Sequence, residues 1–151
     1  MMTQKELDGV TAYLHDHIPL TAHMGVSVIG YDEQSVRLSA PLEPNLNHRN
    51  TAFGGSLSTL GILAGWTLLH LRLQEAGIAN RLVIQKSEMQ FKRPAMNTLE
   101  AVCSQTDVAE WGRFKQMIVE KEKRRMTLVS EIYSDGELVA VNEGVFVSLK
   151  M

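Results

Sequence analysis

Several things are scarce in this sequence, and each scarcity closes a possibility. There is one cysteine, Cys103, so no intrachain disulfide can form. That suits a reducing compartment, and the cytoplasm is the expected location. Cys103 falls in the alternating run LEAVCSQT, where a small residue turned into a core is expected rather than a nucleophile. Charge of either sign is nearly balanced. The formal net charge is −2 and the pI is near 6.2, so no general attraction for nucleic acid or anionic lipid is expected. No internal repeat, low-complexity tract or linker is visible, and one domain spanning 1–151 is expected. The opening MMTQKELDGV is polar and acidic and does not read as a signal peptide.

The most informative shortage is of charge in the middle of the chain. No Asp, Glu, Lys or Arg occurs from Ala52 to Leu71, and no carboxylate occurs between Glu43 and Glu75. A membrane span needs about 20 apolar residues. This segment, however, holds four Gly, two Ser, two Thr and His70. A helix without a polar face must be covered on every side, so a helix buried in a protein core is the better reading. Of the remaining histidines, His15, His17 and His23 share no metal-ligand spacing with His70, and His15 and His17 face different sides of a helix. No metal is expected.

What is present reads as an ordered series of elements. Residues 3 to 17 form an amphipathic helix. Thr3 and Glu6 make a capping box, Leu7, Val10 and Leu14 give the apolar stripe, and Pro19 ends it. MGVSVIGYD and SVRLSAPL read as two strands joined by a polar turn near Asp32–Gln34. A polar loop, 43–53, leads into a helix from Gly54 or Gly55 to about Ala76, stopped by Gly77. Gly61, Ala64 and Gly65 would let that helix lie close against a sheet. Four strand-like runs follow, at 82–91, 98–106, 126–134 and 137–149, the last two joined by a hairpin turn at Ser134–Asp135–Gly136. A short helix fits between 108 and 125. Its basic end, Lys121, Lys123, Arg124 and Arg125, is expected to be a solvated face. The order predicts an α+β fold, an antiparallel sheet curled around one central helix.

The loop NLNHRNTAFGGSL (45–57) carries a resemblance. Hotdog-fold acyl-CoA thioesterases have the pattern N-x-x-G-x-x-H-G-G before their long helix. Here Asn47 keeps the first position, Asn50 stands at the first Gly, Phe53 stands at the His, and Gly54 and Gly55 keep the glycine pair. FKRPA followed by NTLEAVC is similar to the strand–Pro–turn–strand element of these enzymes, and GELVAVNEGVFV is similar to their closing strand. Residues 20 to 149 resemble this superfamily, and most of all the thioesterase-like domain also found joined to a GNAT-type acetyltransferase. The hotdog uses up this chain, leaving no room for such a module.

The resemblance implies the hotdog fold, with the central helix at 54–76, and an acyl-CoA or acyl-carrier-protein thioester as substrate. It implies no cofactor beyond the coenzyme A of the substrate. It also implies a homodimer, or a tetramer built from it, with active sites between subunits. The Gly55 N–H would hold the oxyanion, since free N–H groups and the helix dipole favour negative charge there. Asn47 would orient water or the carbonyl, and His48 would serve as general base. Asn45, Phe53, Gly54 and Ser56 would contact substrate, and Lys92 and Arg93 would meet the phosphates of coenzyme A. Leu57, Leu60 and Trp66 could line an acyl slot, although core packing accounts for them as well. Several relatives place an Asp or Glu seven residues after the second Gly, and this chain has Ile62 there. That departure leaves two alternatives: a non-catalytic acyl-thioester binding module and a hotdog 3-hydroxyacyl dehydratase.

Overall fold

The computed structural model describes residues 1–121 and 123–151. Helix α1 (Gln4–His17) begins at the expected capping box. Thr3 Oγ1 accepts the Glu6 N–H at 3.2 Å, and Glu6 Oε1 accepts the Thr3 N–H at 3.0 Å. Pro19 does more than end α1. It occupies the first turn of a second helix, α2 (Pro19–Met24), where its missing N–H costs nothing. Gly25, at φ 72°, closes α2 in the left-handed conformation.

Strands β1 (Ser27–Asp32) and β2 (Ser35–Ala40) form the first hairpin, and a single 3-10 turn follows at Glu43–Asn45. Helix α3 (Gly54–Glu75) comes next, then β3 (Asn80–Phe91), β4 (Leu99–Ser104), α4 (Val108–Lys121), β5 (Lys123–Ser134) and β6 (Glu137–Lys150). The six strands make one antiparallel sheet in the order β1-β2-β4-β5-β6-β3. Helix α3 lies across its inner face and touches β2 through β6. This is the α+β hotdog arrangement. The β5–β6 turn places Asp135 at φ 54° and Gly136 at φ 74°, the pair of positive values that a two-residue hairpin requires.

Helix α4 is longer than a short connector. Trp111, Phe114 and Ile118 sit at helical spacing and are buried, with the Trp111 ring beneath the Arg72 guanidinium at 4.2 Å. The basic run is divided between two elements. Lys121 ends α4 exposed, while Lys123, Arg124 and Arg125 start β5, where Arg125 Nε donates to Gln85 Oε1 at 2.7 Å.

Helix α3 is buried along most of its length, as its uncharged sequence requires. Its small residues set how near it lies to the sheet. A Cβ on Gly61 would stand 2.6 Å from Asn142 Cβ, and one on Gly65 would stand 2.6 Å from the Phe146 ring. By contrast, a Cβ on Gly9, within α1, would meet nothing within 4 Å. The two glycines should therefore respond oppositely to alanine. Gly9→Ala is expected to stabilise by about 0.5–1 kcal/mol, the helix-propensity gain. Gly61→Ala is expected to destabilise by about 1–2 kcal/mol, because overpacking outweighs that gain. Urea unfolding of both variants checks this, and equal shifts would contradict the close α3–sheet contact. Among the described residues no helix is long and apolar enough to cross a membrane.

Candidate active site

The polar loop before α3 is built around Asn47. Its Oδ1 accepts the N–H groups of Arg49 at 2.8 Å and Thr51 at 3.2 Å. Its Nδ2 donates to Thr51 Oγ1 at 2.8 Å and to the Ala52 carbonyl at 3.4 Å. An amide side chain has two donor hydrogens and two acceptor lone pairs, so the loop engages all of them. Asn50, where the thioesterase pattern has glycine, sits at φ 62°. Asparagine is among the few residues that tolerate this conformation, so the chain path survives the exchange. Asn45 is buried and ties three segments together. Its Nδ2 donates to the carbonyls of Met24 at 3.0 Å and Pro41 at 2.8 Å, and its own carbonyl accepts the Phe53 N–H at 2.7 Å.

These bonds hold Phe53 as the N-cap of α3 in an extended conformation, with no side chain capping the helix. The Ser56 and Leu57 N–H groups turn back to the Phe53 carbonyl, at 3.0 and 3.1 Å. Among the described residues the Gly54 and Gly55 N–H groups meet no acceptor. Two backbone donors are therefore left open at the positive end of a 22-residue helix. Both are flanked by phenyl rings. A Cβ on Gly55 would stand 2.3 Å from the Phe53 ring, and one on Gly54 would stand 3.5 Å from the ring of Phe91, at the end of β3.

A cavity of about 320 Å³ opens beside this helix mouth. Phe53, Gly55, Ser56 and Thr59 form one side of it, and Leu20, His23, Met24, Pro44 and Asn45 form the other. Among the described residues no carboxylate lines it. Thr59 Oγ1 donates to the Gly55 carbonyl at 2.8 Å, so its hydroxyl hydrogen is already used. A cavity of similar size, about 340 Å³, lies on the opposite face of the sheet. Arg37, Glu100, Glu131 and Asp135 surround it, and such charged walls suit a solvated surface rather than an acyl group.

The structure thus brings Asn45, Phe53, Gly55 and Ser56 to one cavity, while Gly54, the first residue of α3, is not among its walls. His48 is exposed on the crown of the loop and is not among the cavity walls. Lys92 and Arg93 are exposed just past β3, and the N–H groups of both donate to the Val139 carbonyl. Arg93 pairs with Glu137 at 3.0 Å. The ring of their neighbour Phe91 lies 3.5 Å from where a Gly54 Cβ would stand, which places this strand end near the helix mouth. Leu57 and Leu60 belong to the core, and Trp66 Nε1 donates to the Leu82 carbonyl at 3.0 Å, so none of the three lines the cavity. Ile62 is half-buried against the same core. Cys103 is fully buried, and burial pushes its thiol up to about 11, which suits a packed residue rather than a nucleophile.

Sequence reasoning missed the wall made by Leu20, His23, Met24 and Pro44, and it missed Phe91. The first depends on α2, which hid behind a proline read only as a stop. His23 is the one histidine whose residue lines the cavity. His15 Nε2 instead donates to the Val26 carbonyl at 2.7 Å, and His70 stacks between Tyr13 and Trp66. No periodicity in the sequence could have paired Phe91 with Gly54, because that contact joins the end of one element to the start of another.

Known structures share this fold. A protein of unknown function from Chlorobaculum tepidum is 31% identical, with a TM-score of 0.90 over 96% of this chain and 97% of that one. A "putative thioesterase" from Shewanella oneidensis is 24% identical, with a TM-score of 0.84 over 97% and 99%. A "probable thioesterase" from Pseudomonas aeruginosa is 20% identical, with a TM-score of 0.82 over 95% and 96%. The last two share the fold. The sequence profile of the family described as "Putative thioesterase (yiiD_Cterm)" matches residues 7–150. A match over nearly the whole length, together with the glycine pair at the mouth of a buried helix, means that this chain belongs to that family of hotdog-fold thioesterases.

Proposed function

We propose that this protein hydrolyses an acyl thioester carried on coenzyme A or on an acyl-carrier protein. One observation carries the reading: two unpartnered backbone donors, Gly54 and Gly55, open at the positive end of α3 in a chain of a thioesterase family. In hydrolysis a water oxygen adds to the carbonyl carbon, and the carbonyl oxygen becomes an oxyanion. The Gly55 N–H, with that of Gly54, holds that charge. Collapse of the intermediate breaks the carbon–sulfur bond, and the thiolate leaves and takes up a proton. Ser56 offers its hydroxyl to the substrate, since its N–H is occupied by the Phe53 carbonyl.

His48, exposed on the loop, takes the proton from the water in this reading. Asn47 acts as a positioning residue through the loop it holds. Asn45 and Phe53 shape the substrate side of the mouth. Lys92 and Arg93 approach the phosphates of coenzyme A. The working form is a homodimer, formed by pairing the free edge of β3 with that of a second copy. That pairing would bring carboxylates such as Glu88, on β3, to a cavity that has none among the described residues of one copy. The cytoplasm is its proposed setting.

A panel of acyl-coenzyme A esters tests this, with released thiol followed by a chromogenic reagent and assembly followed by light scattering. His48→Ala is expected to lower turnover at least about tenfold, equivalent to about 1.4 kcal/mol of barrier. Equal turnover would remove His48 from the mechanism. One observation favours a second reading, a binding module without turnover: Ile62 stands where relatives carry a helix carboxylate. Tight ligand binding with no thiol release from any ester would select it.

A further inference from the structure

We propose that Phe91 and Phe53 are a pair of apolar jaws, and that they guide a compact apolar acyl group from the Gly54–Gly55 donors into the cavity walled by α2. The inference rests on the thioester reading above and adds the class of acyl group. The two rings come from distant parts of the chain, the loop before α3 and the end of edge strand β3. In a single copy both are more than half exposed, at 56% and 58%, and Phe91 ends the strand through which the proposed dimer pairs. Exposed phenyl rings in a pair are costly, since each forgoes the burial of a large apolar surface. Each nevertheless lies against one of the two glycines whose N–H groups are open. Glycine at 55 is what admits the Phe53 ring, while the Phe91 ring lies at ordinary contact range of where a Gly54 Cβ would stand.

The cavity beyond Phe53 has the matching character. Leu20, Met24 and Pro44 provide apolar walls. Part of its polar lining is engaged within the protein: the Asn45 amide N–H groups go to Met24 and Pro41, and the Thr59 hydroxyl goes to Gly55, while Asn45 Oδ1 has no partner among the described residues. A charged acyl group would lose hydration against the Leu20, Met24 and Pro44 walls with no opposite charge from a carboxylate, lysine or arginine among the lining residues to offset it. Ligand cavities run from about 300 to 1,000 Å³. At about 320 Å³ this one suits a short or medium chain rather than a long one. Low polarity around the oxyanion donors also strengthens their effect on developing charge.

The test uses S-ethyl-, S-hexyl- and S-hexadecyl-coenzyme A, thioethers that cannot be hydrolysed, with binding measured by calorimetry. S-hexyl-coenzyme A is expected to bind tightest to the unaltered protein. Phe91→Ala should weaken it at least about tenfold, the order expected for losing contact with one aromatic ring, and should weaken the ethyl compound much less. Phe91→Tyr keeps the ring and should bind within about threefold of the unaltered protein. Leu20→Trp, a change on the exposed α2 surface that fills the cavity, should remove the advantage of hexyl over ethyl.

The proposal is overturned if the hexadecyl compound binds as tightly as the hexyl one, or if Phe91→Ala binds unchanged. It is also overturned if Phe91→Ala becomes monomeric by light scattering and weakens all three ligands equally, since Phe91 would then belong to a subunit interface. Binding that depends on chain length in a protein that hydrolyses no thioester would leave this inference standing and remove the catalytic reading alone.

Discussion

Gly55→Ala is expected to lower kcat/KM at least about a hundredfold while leaving the melting temperature within a few degrees. Loss of one oxyanion donor costs about 10²–10³ in kcat in well-studied hydrolases. Here the donor is displaced rather than deleted. The new methyl would stand 2.3 Å from the Phe53 ring, far inside contact distance, so either the ring swings away or the first turn of α3 shifts. Both outcomes disturb the same site. The fold pays little, because Phe53 is 56% exposed and alanine is about 1 kcal/mol better than glycine in a helix. The clash also predicts coupling. Phe53→Ala removes the obstructing ring, so the double variant should be no worse than Phe53→Ala alone. Steady-state kinetics on the best ester, with calorimetric melting, measure both quantities. A single variant as active as the unaltered protein would show that Gly55 and its ring have no part in turnover.

Phe146→Ala is expected to have the largest effect on stability, a loss of about 3–5 kcal/mol. Phe146 is 1% exposed, and its ring occupies a notch between α3 and β6. The notch exists because its walls are glycines. Ring atoms lie 2.6 Å from where a Gly65 Cβ would stand and 2.8 Å from where a Gly144 Cβ would stand. Neither glycine has a side chain to move into the space, and α3 is fixed by contacts with five strands. The cavity would therefore persist, which puts the cost at the upper part of the usual range. For a chain of this size each kcal/mol shifts the melting temperature by about 2–4 °C, so a drop of about 6–20 °C is expected. Single domains have only about 5–15 kcal/mol in total, and much of the variant protein could be unfolded at 37 °C. Scans at matched protein concentration are needed if the chain dimerises. A drop below about 2 °C would mean that α3 can settle onto the sheet, contrary to the packing described.

Much of the architecture was legible because its causes are local. The Thr3–Glu6 capping box marked the start of α1, and the Ser134–Asp135–Gly136 turn marked the last hairpin. The missing charge from Ala52 to Leu71 marked a helix covered on all sides. Alternation marked the strands, though their ends moved. β5 begins at Lys123 rather than near Met126, because a charged residue can face solvent and still join a ladder. Pro19 was the misleading signal. A proline that cannot continue one helix is well suited to begin the next, and only the chain's return past Asn45 shows which happened.

The candidate site divides in the same way. The glycine pair, the helix that makes its N–H groups electropositive and the loop of asparagines were determined by the sequence itself, since they lie within a dozen residues of one another. Tertiary structure alone decided which of those residues face a cavity. It engaged every hydrogen-bonding atom of the Asn47 side chain in the loop, left His48 outside the cavity, and brought Leu20, His23, Met24 and Phe91 to the helix mouth. The physical reason is range. Capping, turn chemistry and periodicity act between near neighbours, whereas a cavity is the space left where α2, the loop, α3 and the end of β3 meet after packing on one sheet.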